Sequence, residues 1–205
     1  MGDDTITAYL GRLAERTAAP AGGATAALNA AQAAALLAMT ARYCDSPAYA
    51  GHAETASEAA AEADRLRHKC VALMAADGES YGGVMAAYRL PRGTREERAV
   101  RAAAIAAALV TAAGPPVEVI AAAARLLELA QALQPLVNRS LAPDVAAAAE
   151  AIRAAIATSR TNIEANLSGI TDPAACDRLT RVITGTTALE AGAKQVIAAV
   201  RARYA

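Results

Sequence analysis

Asp77 and Tyr81 stand four residues apart in the stretch ADGESYGGVMAAYRLPR, where a helix would set a carboxyl and a phenol on one face. A carboxylate held in that way can take up a proton, return it, or anchor a polar ligand. Gly78, Gly82 and Gly83 interrupt the same segment. Each costs about 1 kcal/mol relative to alanine in a helix, which points to a surface that excludes bulk, against either a crossing helix or a ligand. A second polar set follows PAGGA: Gly22 and Gly23 lead into Thr25, Asn29 and Gln32, inside a run otherwise made of alanine and leucine. On a helix these three and Leu36 fall within about 60° of one another. An unpaired amide on a buried face costs on the order of 1–3 kcal/mol, so the set must meet a neighbouring helix, water or a pocket. In a third set, Ser159, Asn162 and Asn166 share a face, with Arg160 and Glu164 as an outward pair. Asp144 sits near the start of that helix, where the helix dipole favours an acid whatever its use.

Other chemistries lack their residues. His52 and His68 are the only histidines and belong to no HExxH or Cys/His cluster, and no GxSxG or P-loop occurs, so no metal centre or hydrolase triad is expected. Cys44, Cys70 and Cys176 make an odd count without a CxxC, and no secretory leader pattern precedes them, which leads us to expect a reducing, cytoplasmic setting. The formal charge is +0 and no basic run with interleaved aromatics appears, which argues against a nucleic-acid partner.

The elements that must position these groups are helices. The chain has 205 residues, enough for one domain over residues 1–205, with 55% hydrophobic but only 3% aromatic residues and no Trp or Phe. An interior built from Ala, Leu, Val and Ile favours closely packed helices, and no alternating run supports strands. Asp3, Asp4 and Thr5 can cap a first helix whose stripe is Ile6, Tyr9, Leu10 and Leu13. The PAGGA segment opens the second; the third runs from Thr55 to about Leu90, before Pro91 and Gly93. TREE at Thr94 is a capping box, Pro116 suits the first turn of a fifth helix reaching about Val137, the Asn-bearing segment forms a sixth, and Asp172-Pro173 starts the last, through Tyr204. The expectation is an all-α bundle of about seven helices. Residues 24–41 and 102–124 are apolar enough to invite comparison with membrane spans; both read as core helices, with no membrane partner expected.

In this order and spacing, the three polar segments resemble the cyclodeaminase/cyclohydrolase family, which comprises the C-terminal domain of formiminotransferase-cyclodeaminase and stand-alone methenyltetrahydrofolate cyclohydrolases. The family's Pro-Gly-Gly-Gly-Ser and long Ala/Leu helix are matched by PAGGATAALNAAQAAALLAMTA, its Asp-x-x-x-aromatic block ending in Leu-Pro-Lys/Arg by Asp77, Tyr81 and YRLPR, and its later helix start and Asn-rich helix by Asp144 and TNIEANLSGITD. The resemblance covers nearly the whole chain. It implies an all-helical homodimer acting without metal on a tetrahydrofolate derivative. Asp77 would be the proton shuttle or pterin anchor and Asp144 a second carboxylate. Gly22, Gly23, Thr25, Asn29, Gln32, Tyr81, Asn162 and Asn166 would line or orient the folate, and Arg92 would meet an anionic substrate group.

The departures are specific. After Pro20 the family's three glycines and serine become Ala21, Gly22, Gly23 and Ala24, and Thr25 offers a hydroxyl one residue late. Asn29 and Gln32 replace apolar residues, and YCDSPAYAGH stands where a Gly-Lys-rich segment with a folate-contacting lysine is expected. Three readings follow. The first is hydrolysis of methenyltetrahydrofolate to formyltetrahydrofolate, or cyclisation of formiminotetrahydrofolate with loss of ammonia. The second is a remodelled pocket that uses methylene- or methenyltetrahydrofolate as the electrophile in a Mannich-type transfer. The third is a helical binding protein without catalysis.

Overall fold

A computed structural model describes residues 4–44 and 51–205. Asp3 and residues 45–50, which carry part of the first cap and most of the segment lacking the family lysine, lie outside them. Among the described residues there are seven α-helices and no strand: α1 (Ile6–Leu13), α2 (Gly22–Tyr43), α3 (Ala53–Tyr88), α4 (Arg95–Ala112), α5 (Gly114–Leu133), α6 (Ala142–Leu167) and α7 (Pro173–Arg201).

The predicted start signals operate locally. Thr5 Oγ1 accepts from Ala8 N–H at 3.1 Å to open α1. The Thr94/Glu97 box is closed in both directions, and Glu97 also accepts from Gly93 N–H at 2.6 Å. Asp172 accepts from Ala174 N–H at 3.0 Å, with Pro173 as the first residue of α7. Helix ends fall short of the reading: α3 stops at Tyr88, α5 at Leu133 and α7 at Arg201.

The centre is α2, which packs against α3, α5 and α6. Its buried side carries Ala26, Ala27, Ala30, Ala33, Ala34 and Ala41, all inaccessible to solvent. Methyl-sized side chains let neighbouring helix backbones approach closely, and the larger Leu37, Leu126, Leu133, Ile152 and Ile156 fill the remaining volume. A smaller apolar cluster, including Val84, Leu109, Ile163 and Leu179, ties α3, α4, α6 and α7 together.

Two core expectations need correction. The stretch 102–124 breaks before GPP as expected, but only its second half is core: α5 enters the interior, whereas α4 buries only Leu109 and Ala112. The reason is position, since α4 lies mainly along α3 at the edge of the bundle. In α1, Tyr9 is buried and Leu13 packs beside the core, whereas Ile6 and Leu10 are 80% and 52% exposed. Two stretches, Gly22–Tyr43 and Arg95–Leu133, are long and apolar enough to cross a membrane; in α2 that apolarity is spent largely on α3, α5 and α6.

Because α2 has no spare volume, Ala30→Leu should lower stability by about 1–3 kcal/mol, with helix content retained. Urea denaturation followed by circular dichroism measures this, and an unchanged midpoint would mean that the alanine face is loosely packed.

Candidate functional site

The first turn of α2 begins without a cap of its own. Its N-cap residue is Ala21, whose methyl cannot accept a hydrogen bond. Asp77, more than fifty residues further on, supplies the acceptor: its Oδ2 takes the Ala24 N–H at 3.1 Å. A carboxylate there meets the positive end of the α2 dipole. It comes so close because position 23 is glycine. A Cβ built on Gly23 would stand 1.9 Å from Asp77 Oδ1 and 2.4 Å from its Cγ, inside any allowed contact. Gly22 differs, since a Cβ there would meet only Asn162 Oδ1, at 3.9 Å.

These groups wall a cleft of about 360 Å³ between the start of α2, the middle of α3 and the last turns of α6. Of the residues singled out from sequence, Gly22, Gly23, Asp77, Tyr81, Asn162 and Asn166 line it together. Tyr81 is 43% exposed, at the mouth. Thr17, Ser80, Ala112 and Ala165 also line the cleft and were missed. Ser80 was legible in part, lying three residues from Asp77; its Oγ donates to the Asp77 backbone carbonyl at 3.0 Å. Ala112 and Thr17 come from other segments and carry no local signal.

Burial pushes the Asp77 carboxyl above the usual aspartate range, and the Ala24 N–H partly opposes that shift. No cation pairs with it among the described residues, and none lines the cleft. The result is a partly desolvated carboxylate, held by one backbone donor, in a cleft it shares with two carboxamides. That set can accept a proton, return it, and hydrogen-bond an oxygen that gains charge. Among the described residues no group of three or more His, Cys, Asp or Glu side chains is placed to hold a metal ion.

The other expected site residues lie elsewhere in the chain. Thr25 Oγ1 donates to Ala21 O at 3.2 Å, within its own helix. Asn29 is half-buried a turn later and Gln32 is exposed; neither lines the cleft. Thr25 is half-buried like Asn29, and with none of the three on the cleft the polar stripe is not a wall of it. That removes the observation behind the Mannich-type reading. Asp144 is in the first turn of α6, eighteen residues before Asn162 and so roughly 27 Å along the helix. Arg92 is exposed in the turn after α3, outside the cleft. Gly82 and Gly83 face open space, so within the chain no close crossing requires them. A larger groove of about 630 Å³ between α6 and α7 holds the Glu150–Arg153 pair, Lys194 and Arg201, but no buried carboxylate.

Gly23→Ala should displace the Asp77 carboxyl and cost about 1–2 kcal/mol more than Gly22→Ala. Paired denaturant titrations measure the difference; equal stabilities would show that the Asp77 position does not depend on the gap at residue 23.

Comparisons with known proteins bear on the family and the fold. The methenyltetrahydrofolate cyclohydrolase of Methylorubrum extorquens is 30% identical over 193 residues, covering 94% of this chain and 92% of that protein. The formimidoyltransferase-cyclodeaminase of Rattus norvegicus is 28% identical over 171 residues, or 83% of this chain, which spans 32% of the rat protein. A crystal structure of formiminotetrahydrofolate cyclodeaminase from Thermotoga maritima shares the fold, with a TM-score of 0.88 at 23% identity over 99% of this chain and 98% of that one. The formiminotransferase-cyclodeaminase family model matches residues 5–185, nearly the whole bundle and every wall of the cleft, and the chain therefore belongs to that family.

Proposed function

We propose that this chain hydrolyses the one-carbon bridge of methenyltetrahydrofolate to give formyltetrahydrofolate. The observation that carries the reading is Asp77, a partly buried carboxylate fixed to the N-terminus of α2 in a cleft it shares with Asn162 and Asn166. The near-full-length similarity to a cyclohydrolase supports it.

The bridging carbon is already electrophilic, so the residues need only manage protons. Asp77 takes a proton from the attacking water as its oxygen bonds to the carbon, giving a neutral carbinolamine. Asp77 then gives that proton to the departing folate nitrogen, the carbon–nitrogen bond breaks, and the second water proton leaves the hydroxyl for solvent as the formyl group forms. Asn162 and Asn166 supply amide groups that hydrogen-bond the attacking water and the hydroxyl it becomes, orienting it on the carbon. Closure of a formimino group with loss of ammonia passes through a similar tetrahedral carbon and asks the same of Asp77.

The same reading takes the chain as a homodimer. Exposed Gln32 and half-buried Thr25 and Asn29 on α2, with the exposed Ile6 and Leu10 of α1, offer a second copy both apolar area and polar groups to pair. Sedimentation at micromolar concentration checks this, and a monomer would exclude it.

Loss of methenyltetrahydrofolate absorbance measures the activity. Asp77→Asn should reduce kcat by about 10²–10⁴ while the protein stays folded, since the amide oxygen can still accept from Ala24 N–H. Because the folded pKa of Asp77 lies above its unfolded value, its ionisation opposes folding as pH rises between the two, so the Asn variant should be at least as stable as the parent at neutral pH. The base must be ionised, so kcat/KM should fall toward acid with an inflection above the ordinary aspartate value of about 4. A parent without turnover, or an Asn variant with parental rates, would overturn the assignment.

A further inference from the structure

Three serine or threonine side chains are fully buried among the described residues: Thr40, Ser159 and Thr186. Thr40 Oγ1 donates to Leu36 O at 2.8 Å and Thr186 Oγ1 to Ile183 O at 2.6 Å, so each spends its proton on its own helix. Ser159 does not. Its Oγ is closed off from solvent without a hydrogen-bond partner among the described residues, although Thr161, two positions on in α6, donates to Ala157 O at 3.1 Å in the usual way. Tyr9 is the other residue with such an oxygen, but its ring fills core space, whereas Ser159 has only the hydroxyl to offer. Ala155, Ile156 and Ile163 around it in α6 are equally buried and wholly apolar. An unpartnered hydroxyl there opposes folding, and alanine is the better helix former, so packing alone favours alanine at this position.

The place of Ser159 relative to the cleft supplies a use. It precedes Asn162 by three residues and Asn166 by seven, so all three share one side of α6, with Ser159 about 4.5 Å from Asn162 and roughly 10 Å from Asn166 along the axis. Long side chains in a helix lean back over the preceding turn, which brings the Asn162 carboxamide over the turn that holds Ser159. Asn162 lines the cleft, its Oδ1 3.9 Å from where a Cβ on Gly22 would stand, and its carboxamide makes no hydrogen bond among the described residues. Resting on the proposed hydrolysis, in which Asn162 orients the attacking water, we propose that Ser159 is a positioning residue: when substrate fills the cleft, its hydroxyl pairs with the Asn162 carboxamide and holds that amide in the orientation the water requires. The hydroxyl can donate to Oδ1 or accept from Nδ2, so it serves whichever way the amide faces the ligand. A pair formed from two groups that are idle without ligand stabilises the reacting complex and not the resting fold.

The test is a double-mutant cycle on methenyltetrahydrofolate turnover, with urea denaturation of each variant. S159A should be at least as stable as the parent yet lower kcat about tenfold, with KM changed by less than about twofold, because a misoriented water slows attack without loosening the pterin. In an N162A background the same substitution should cost no further kcat, since the group it acts through is gone. In an N166A background the tenfold loss should persist. Parental kcat in S159A would overturn the proposal and leave the hydrolysis standing. So would a tenfold loss that persists in N162A, which makes the hydroxyl act elsewhere, or a lowered urea midpoint for S159A, which makes it structural. A parent that does not turn over methenyltetrahydrofolate removes both readings.

Discussion

The structure turns on one contact between elements distant in sequence, the Asp77 carboxylate on the Ala24 amide at the head of α2. A helix that starts at an alanine leaves its first N–H groups in need of an acceptor, and the acceptor comes from the middle of α3. The contact is possible only because residue 23 has no side chain, since any Cβ there would occupy the place of the carboxyl. A single backbone bond therefore caps the central helix, fixes where α2 and α3 meet at this end, and places a titratable group in the cleft.

That arrangement sets two electrostatic effects against each other. Removal from water favours the neutral acid, whereas the Ala24 N–H and the α2 dipole favour the anion. Burial wins, so the carboxyl titrates above an ordinary aspartate. A carboxyl whose anion is only weakly stabilised is well suited to take a proton and return it. A neighbouring cation would have lowered the pKa and weakened the base; the cleft offers carboxamides and a phenol instead.

The alanine-rich interior gives this geometry its rigidity. Buried alanines bring helix backbones close, and closely packed helices transmit small displacements because there is little free volume to absorb them. The cost is that such a core carries little apolar area per residue, so stability depends on long helices: α2, α3, α6 and α7 each exceed twenty residues. Length also lets single helices serve two ends of the molecule. Helix α6 carries Asn162 and Asn166 at one end and Asp144 at the other.

The sequence by itself determined the helical class, the helix starts at Thr5, Thr94 and Pro173, and the pairing of Asp77 with Tyr81 and of Asn162 with Asn166, because capping and the spacing of residues on a helix are local properties. The grouping of Gly22, Gly23, Asp77 and the two asparagines was legible only through the family resemblance that joined the three segments. Only the tertiary structure decided what the polar face of α2 meets. Thr25, Asn29 and Gln32 form a stripe whether a pocket, a helix or solvent lies opposite, and helical periodicity reports which residues share a face but not what covers it. The same limit applies to Asp144, to Ala112 and to the exposed α4, whose alanine content suits a buried helix and an edge helix equally well. Burial and approach distance are set by elements far apart in the chain, so no local pattern encodes them.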